Sequence, residues 1–259
     1  MQIALSHNLF HDDKYQYLFM TTHSPYVLAE MDQVNLVRIY NDDKIVSKSV
    51  LYTVPDDFKT QRKMLNRGLV EAVFADKVLL VEGPSENVLF GKILSEIKPF
   101  YEAEGIYILP VGGFGFRPYF EILDALGIYN IIKTDNDLRK NKGKEEYSVL
   151  GFSRLNDYIG EDILPTERIG ENGIEAKRKL YENNQETLDL IRQKYALYLS
   201  RCSLEEDLDE VIHDKMVKYL PQAGENIIGY LQEAKNNNMV KLVEKLTLED
   251  CICIFEHYN

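Results

Sequence analysis

Apolar and polar positions follow a regular alternation in the middle of the chain, from residue 77 to residue 137. Short apolar runs are separated by longer segments in which apolar residues recur at helical spacing. The pattern predicts strands at 78–81, 106–111 and 130–134, with helices at 85–97 and 118–126. Strands that alternate with helices favour an α/β fold with a central, mainly parallel sheet flanked by helices. In such a fold the ligand site lies at the carboxyl ends of the strands.

The N-terminal part of the chain has a different pattern. Residues 15–22 (YQYLFMTT) are typical of a buried strand, and His23-Ser24-Pro25 leads into a short helical segment. Alternating residues at 34–40 and 45–51 predict a β-hairpin around a polar turn. Residues 57–75 predict a helix with one apolar stripe. The opposite side of that helix carries a basic face, a candidate guide for a DNA backbone, made of Lys59, Arg62, Lys63 and Arg67.

The C-terminal part is predicted to be mostly helical. Residues 140–146 are a charged loop, and 150–200 have the pattern of a helical insertion. Ser203 with Glu206 matches a capping box, which predicts that a helix begins there. The buried stripe of that helix is predicted to be Leu204, Leu208, Val211 and Met216. A last helix is predicted at 239–245.

Composition and charge narrow the class of protein. Of the 259 residues, 45% are hydrophobic and 28% are charged, as in soluble globular proteins. The chain has no apolar run of the ~18 residues that a membrane span needs and no signal-peptide pattern, so we expect a cytoplasmic protein without membrane contact. The three cysteines form no CxxC pair. The net charge of -12 argues against simple electrostatic attraction to nucleic acid, so a DNA substrate would require divalent metals or local basic patches.

Acidic residues directly follow two of the predicted sheet strands. Glu82 comes after VLLV, and Asp135 and Asp137 come after NIIKT. Neighbouring strand ends in a sheet lie about 5 Å apart, so we expect these carboxylates to converge. Two carboxylates ~4 Å apart repel by roughly 4 kcal/mol at an effective dielectric of 20, and a hard divalent cation would offset that repulsion. Glu86 lies one helical turn after Glu82 and is a further candidate ligand, or it merely complements the helix dipole.

These motifs resemble the Toprim fold, which topoisomerases, bacterial primases and the overcoming-lysogenization-defect (OLD) nucleases share. The similar segments are VLLVEGPSE, a glycine-rich strand end and TDND. The resemblance implies that Glu82, Asp135 and Asp137 bind one or two Mg²⁺ or Mn²⁺ ions, and that Glu86 joins them as in OLD nucleases. It also implies two-metal hydrolysis of a phosphodiester bond, in which a water attacks and the second ion stabilises the leaving oxygen.

The flanking segments resemble the OLD nucleases in particular. LVEAVFADKVLLVEGPSE is similar to the junction of those proteins, and FMTTHSPYVL is similar to the switch-histidine segment that ends an ABC-type ATPase head. This implies that His23 senses the nucleotide. The chain contains no GxxxxGK[ST] loop, so ATP would bind only through an N-terminal ATPase half outside it. The resemblance implies three parts: an ATPase remnant at 1–56, a connecting helix at 57–76, and a Toprim nuclease domain at 77–259 with a helical insertion at about 150–200.

The OLD resemblance also implies further site residues near the C-terminus. OLD nucleases take additional metal ligands from a helix after the insertion, and LEEDLDEVIHD fits that helix. Asp207 and Asp214 are the first candidates there, although an acidic helix face is commonly just solvated. A lysine near the C-terminus assists phosphate chemistry in this family, and the candidates are Lys241 and Lys245. Either lysine is otherwise an ordinary surface residue.

Taken together, the residues and the resemblance predict a metal-dependent DNA endonuclease of a bacterial anti-phage system. By resemblance to the nuclease subunits of Gabija systems, its partners would be double-stranded DNA, further copies of the chain in a tetramer, and a UvrD-like helicase subunit. Two alternatives stay open. The chain could be a non-catalytic module for assembly or helicase recruitment, or a topoisomerase- or primase-type Toprim enzyme, since 17 tyrosines leave a nucleophile possible.

Overall fold

The structure is a computed structural model that describes residues 8, 18–28, 35–41, 46–54, 68–112 and 115–258. In chain order its strands are β1 (Asn35–Asn41), β2 (Ser47–Thr53), β3 (Lys77–Val81), β4 (Ile106–Pro110), β5 (Tyr129–Thr134), β6 (Leu138–Lys140), β7 (Tyr147–Val149) and β8 (Leu197–Leu199). The first helices are α1 (Pro25–Leu28), α2 (Gly68–Ala72), α3 (Pro84–Ile97), α4 (Arg117–Ala125) and α5 (Leu150–Ile159). They are followed by α6 (Ile174–Asn183), α7 (Gln185–Tyr195), α8 (Leu204–Tyr219), α9 (Ile227–Glu233), α10 (Lys235–Val243) and α11 (Leu248–Tyr258).

The central sheet is parallel and has the strand order β4-β3-β5-β8. Its three longer strands lie within one or two residues of their predicted bounds, and so do helices α3 and α4. The fold class predicted from the alternating pattern is therefore confirmed. The fourth strand was missed, because β8 lies inside the segment 150–200 that the sequence reading assigned to a helical insertion. The rest of the segment is mostly helical, as predicted: it contains α5, α6 and α7, with a non-helical stretch at 160–173.

Within the described part of the chain, buried hydrophobic side chains form two clusters. The first joins the sheet to α2, α4, α5 and α7, and includes Leu80, Tyr119, Ile132 and Phe152. The second joins α3 to the C-terminal helices α8 to α11, through Leu89 and Ile93 on α3. Helix α3 also contacts β4, so it links the C-terminal helices to the sheet.

The C-terminal helices differ in part from the prediction. Helix α8 begins after Ser203 as predicted, but the Ser203 hydroxyl contacts the carboxylates of Glu205 and Glu206 and makes no hydrogen bond to the helix backbone. At Ile212 the backbone leaves helical geometry, so Ile212 is buried and the predicted Val211 is only partly buried. The predicted last helix at 239–245 is α10, which begins earlier, and α11 was not predicted.

The N-terminal hairpin is present, formed by β1 and β2 in antiparallel register. Arg38 attaches it to the sheet domain, since its guanidinium donates to the Ala75 carbonyl at 2.7 Å and to Asp76 Oδ1 at 3.0 Å. The strand predicted at 15–22 is wrong where the structure describes it: residues 18–22 are irregular, and Phe19 is 94% exposed. None of the described strands pairs with this segment, so its backbone forms no interstrand hydrogen bonds with them. Residues 15–17 lie outside the described part.

Three further predictions concern the helix at 57–75, the charged loop at 140–146 and membrane spans. Of the helix predicted at 57–75, the structure describes α2 and the turn after it, whereas the basic face of Lys59, Arg62, Lys63 and Arg67 lies outside the described residues. The charged loop at 140–146 connects β6 to β7. Across the described ranges, no helix is long and apolar enough to cross a membrane.

Candidate active site

The carboxyl ends of β3 and β5 bring the predicted acidic residues together. The register that pairs Leu80 with Ile132 continues beyond the ladder and brings Glu82 beside Thr134. Glu82 Oε1 accepts a hydrogen bond from the Thr134 hydroxyl at 2.6 Å and from the Asp135 backbone N–H at 3.0 Å. The convergence expected from neighbouring strand ends is therefore present in the structure.

Arg154 connects Glu82 to Asp137. From helix α5, its Nη1 donates to Glu82 Oε1 at 2.8 Å, and its Nη2 donates to Asp137 Oδ2 at 2.9 Å. The sequence reading missed this arginine. Nothing in its local sequence marks it, because it reaches the site only through the packing of α5 on the end of β5.

Lys133 is a second cation that the sequence reading missed. It lies in β5 with 2% of its surface exposed, and its ammonium donates to Asp135 Oδ1 at 2.7 Å. Burial alone would lower the pKa of Lys133, but the negative charge of Asp135, together with Tyr258, Glu86 and Asp207, outweighs burial and raises it well above the usual value. In turn, Lys133 holds the pKa of Asp135 below its ordinary value against the opposing effect of burial. The sequence did contain an indication of this pair. A lysine inside an apolar strand needs a buried partner of opposite charge, and an aspartate follows two residues later.

Two more predicted ligands lie at the same place. Glu86, in the first turn of α3, is buried, and burial raises the pKa of its carboxyl. Lys133 partly offsets that rise, whereas the charges of Asp135 and Glu82 add to it. Asp207 of α8 is 1% exposed, and burial raises its pKa too, against the effect of Lys133. For both carboxyl groups, the cost of burying the charged form is the main cause of the raised pKa.

Residues from β8 and α11 complete the surroundings. The hydroxyl of Ser200, which follows β8, donates to Asp135 Oδ1 at 3.0 Å. The Tyr258 hydroxyl donates to Asp207 Oδ2 at 3.2 Å, and the Lys133 ammonium lies 5.8 Å from the centre of the Tyr258 ring. Both residues were missed, because β8 is only three residues long and α11 was not predicted.

The remaining predicted site residues lie elsewhere. Asp214 is exposed on α8 beyond the irregular backbone at Ile212. The exposed ammonium of Lys241 donates to the Tyr230 hydroxyl at 3.0 Å, and that of Lys245 donates to the Tyr219 carbonyl at 2.5 Å. His23 is exposed in the irregular segment before α1. None of these side chains makes a described contact with the acidic cluster, so their roles stay predictions.

The donor set of the cluster suits a hard divalent cation. Every candidate ligand atom is a carboxylate or hydroxyl oxygen, which Mg²⁺ and Mn²⁺ prefer. Five carboxyl groups, those of Glu82, Glu86, Asp135, Asp137 and Asp207, surround two cations, Lys133 and Arg154. In the described part of the chain, no three histidine, cysteine or acidic side chains are already arranged to hold a metal ion. The chemistry therefore fits a metal, and Arg154 takes up oxygens that a metal would use.

Comparison with known proteins identifies the class to which this site belongs. Residues 73–137 match the family described as "Overcoming lysogenization defect protein-like, TOPRIM domain". This range runs from the turn after α2 to Asp137 and contains Glu82, Glu86 and Asp135. The chain therefore contains an OLD-like Toprim domain with a parallel central sheet, as its sequence motifs predicted.

The chain is similar to two curated proteins named "Endonuclease GajA". It is 41% identical to the one from Bacillus cereus strain VD045 over 99% of this chain and 46% of that protein. It is 23% identical to the one from strain HuB5-5 over 89% of this chain and 37% of that protein. The chain thus spans less than half the length of these relatives. Among solved structures, the C-terminal region of the Burkholderia pseudomallei OLD protein matches at 19% identity and a TM-score of 0.48, over 71% of this chain and 97% of that one.

Proposed function

We propose that this chain carries the nuclease centre of an OLD-like endonuclease, which hydrolyses phosphodiester bonds of double-stranded DNA with Mg²⁺ or Mn²⁺. The convergence of Glu82, Asp135 and Asp137 at the ends of two adjacent parallel strands carries the proposal. The OLD-like Toprim domain and the similarity to proteins named as endonucleases support it.

Each residue of the cluster has a distinct proposed role. Glu82, Asp135 and Asp137, with Glu86 and Asp207 beside them, would hold one or two ions. Lys133 and Ser200 fix the Asp135 carboxylate by hydrogen bonds, so that its orientation is set before an ion binds. When bound, the ions would supply positive charge that activates a water and stabilises the leaving oxygen. In this proposal Lys241 or Lys245 contacts DNA phosphates from the surface of the C-terminal helices.

The wider setting is proposed from the relatives. The nuclease would belong to an anti-phage defence protein of the cytoplasm, regulated by an attached ATPase domain to which His23 reports the nucleotide. It would act as a tetramer with a UvrD-like helicase partner. Support for this setting is the 41% identity to an endonuclease GajA along nearly the whole chain.

The chemistry of Tyr258 favours hydrolysis over a topoisomerase reaction. Tyr258 reaches the site, and a topoisomerase would need such a tyrosine as its nucleophile. Burial raises the pKa of Tyr258 well above its usual value, and its hydroxyl donates to Asp207. The phenolate that would attack phosphorus is therefore disfavoured. We expect Tyr258→Phe to retain DNA cleavage and the wild type to form no covalent link to DNA.

Nicking of supercoiled plasmid by the full chain, with Mg²⁺ or Mn²⁺ and with EDTA, tests the proposal. We expect cleavage with the metal and a loss of at least about a hundredfold in Glu82→Gln, because that variant keeps the shape but loses the charge. Glu121→Gln is the matched control, since Glu121 pairs with Arg117 on the exposed face of α4. Unchanged cleavage by Glu82→Gln would reject this site. Metal binding without cleavage of any DNA would favour the non-catalytic alternative.

A further inference from the structure

The guanidinium of Arg154 lies between two carboxylates, one after β3 and one after β5, which is the place where a shared cation would bind. Its Nη1 contacts Glu82 Oε1 at 2.8 Å and Thr134 Oγ1 at 3.0 Å, while its Nη2 contacts Asp137 Oδ2 at 2.9 Å. One side chain thus neutralises carboxylates that follow two different strands, and both carboxylates are proposed metal ligands. A planar guanidinium suits this geometry because its donors point in fixed directions.

Helix α5, which contains Arg154, packs directly against the acidic segment that follows β5. The N–H groups of Leu150 and Gly151 donate to the Asp137 carbonyl at 2.8 and 3.3 Å. A Cβ on Gly151 would lie 2.9 Å from the Asp135 carbonyl oxygen, so the helix approaches the backbone as closely as glycine permits. The base of the side chain is therefore fixed relative to the acidic residues.

The end of the side chain has more freedom than its base. Arg154 is 32% exposed, as against 3% for the side chain of Lys133. Lys133 is enclosed beside Asp135 and cannot leave without opening the core. Arg154 can rotate its guanidinium into water, where it stays charged and hydrated.

We infer that Arg154 is a built-in stand-in for a divalent cation: it holds the metal-free site together and must withdraw from Glu82 and Asp137 before an ion can bind there. This inference rests on the proposed function, because it assigns those two carboxylates to the ion. The guanidinium and the ion compete for the same Oε1 and Oδ2 atoms. The apparent metal affinity is therefore reduced by the fraction of molecules in which Arg154 has withdrawn.

Manganese titration of the full chain, followed by calorimetry, tests the inference without measuring cleavage. If Arg154 is withdrawn in about a tenth of the molecules, Arg154→Gln binds Mn²⁺ about tenfold more tightly than the wild type. The same variant melts at a lower temperature in EDTA, because Glu82 and Asp137 lose their cation. Arg154→Lys falls between the two in affinity, since an ammonium cannot span both carboxylates as the fork does. Arg117→Gln is the control, because Arg117 forms an exposed ion pair with Glu121 within α4.

The outcomes separate this inference from the proposed function. If Arg154→Gln binds Mn²⁺ no more tightly than the wild type, Arg154 does not compete with the ion and the inference is rejected. The proposed function still stands if the wild type binds Mn²⁺. Absence of millimolar Mn²⁺ binding in both the wild type and Arg117→Gln overturns both. If Arg154→Gln does not fold, Arg154→Lys decides: binding no tighter than wild type rejects the inference.

Discussion

A lysine inside a sheet strand is costly to bury unless a charge balances it, and Lys133 is balanced by Asp135. The pair lies at 2.7 Å with side-chain exposures of 3% and 15%. Asp207, Glu86 and the Tyr258 ring lie around the same ammonium. Removal of Lys133 would leave the carboxylates of Asp135, Glu86 and Asp207 without the buried ammonium that offsets their charge.

We expect Lys133→Met to lower the free energy of unfolding in EDTA by about 3–5 kcal/mol, the usual cost of breaking a buried ion pair. The double variant Lys133→Met/Asp135→Asn should recover part of that loss, since it also removes the unpaired negative charge of Asp135. Urea denaturation of the wild type, the two single variants and the double variant forms the thermodynamic cycle.

Lys92→Met is the matched control for that cycle. Lys92 forms a partly exposed ion pair with Glu96 within α3, and such a pair contributes only about 0.3–0.5 kcal/mol. Equal losses in Lys133→Met and in the double variant would mean that Lys133 stabilises the fold by packing alone.

At the residue scale, the sequence was informative where chemistry follows a strand end. Glu82, Asp135 and Asp137 could be predicted because each directly follows a strand that the apolar pattern identifies, and the structure brings them together. Lys133 could have been predicted from its position inside NIIKT. Arg154 and Tyr258 could not, because their distance from the site depends on how α5 and α11 pack.

At the scale of elements, helix α5 positions the site because its second residue is Gly151. A Cβ there would meet the Asp135 carbonyl oxygen at 2.9 Å, the Asn136 Cα at 3.0 Å and a Leu199 methyl at 3.1 Å. Two of these atoms belong to the backbone beside the acidic residues and cannot turn away. An added methyl group must therefore displace the helix or the strand end.

We expect Gly151→Ala to destabilise the protein by about 1–3 kcal/mol, the usual cost of overpacking, even though alanine favours helices. Gly91→Ala in α3 is the matched control, because its added Cβ meets only an Ile108 methyl at 4.0 Å. That variant should gain roughly 0.5–1 kcal/mol from the lower entropy of its unfolded chain. Thermal unfolding followed by circular dichroism measures both. A stabilised Gly151→Ala would show that α5 does not press on the site.

Elements were predictable where they repeat a period over enough residues. Strands β3, β4 and β5 and helices α3 and α4 follow the alternating pattern, and their bounds lie close to those predicted. Strand β8 is three residues long and follows α7 almost directly, so its pattern cannot be distinguished from the end of a helix. The segment 18–22 was predicted wrongly because strand propensity alone does not supply a neighbouring strand.

At the scale of the whole molecule, helix α3 contacts both the sheet, at β4, and the C-terminal helices. Its Glu86 faces the acidic site, while its Leu89 and Ile93 pack in the second cluster with α8 to α11. Asp207 on α8 and Tyr258 on α11 reach the same site from the C-terminal helices. Loss of those helices would therefore remove two groups from the site as well as uncover α3.

The cysteines allow a test of whether the sheet end beside the acidic site and the C-terminal helices unfold together. Cys202 lies buried just before α8, Cys251 lies buried in the second cluster, and Cys253 is exposed. Burial raises the pKa of Cys202 and of Cys251 to about 11, and the thiolate is the reactive form, so both should resist maleimide at neutral pH. In the native protein we expect only Cys253 to be labelled, as counted by mass spectrometry.

Labelling in increasing urea then follows two places separately: Cys202, whose carbonyl accepts from the Asn136 N–H, reports on the sheet end beside the acidic site, and Cys251 reports on the second cluster. Because α3 and the acidic site join the C-terminal helices to the sheet, Cys202 and Cys251 should become reactive over the same range of urea concentration. Cys253→Ser removes the exposed thiol and leaves these two as the reporters. Reaction of Cys251 at clearly lower urea than Cys202 would mean that α11 detaches first. Tyr258 would then leave Asp207 before the sheet unfolds, and the acidic site would be a junction between two independently stable parts.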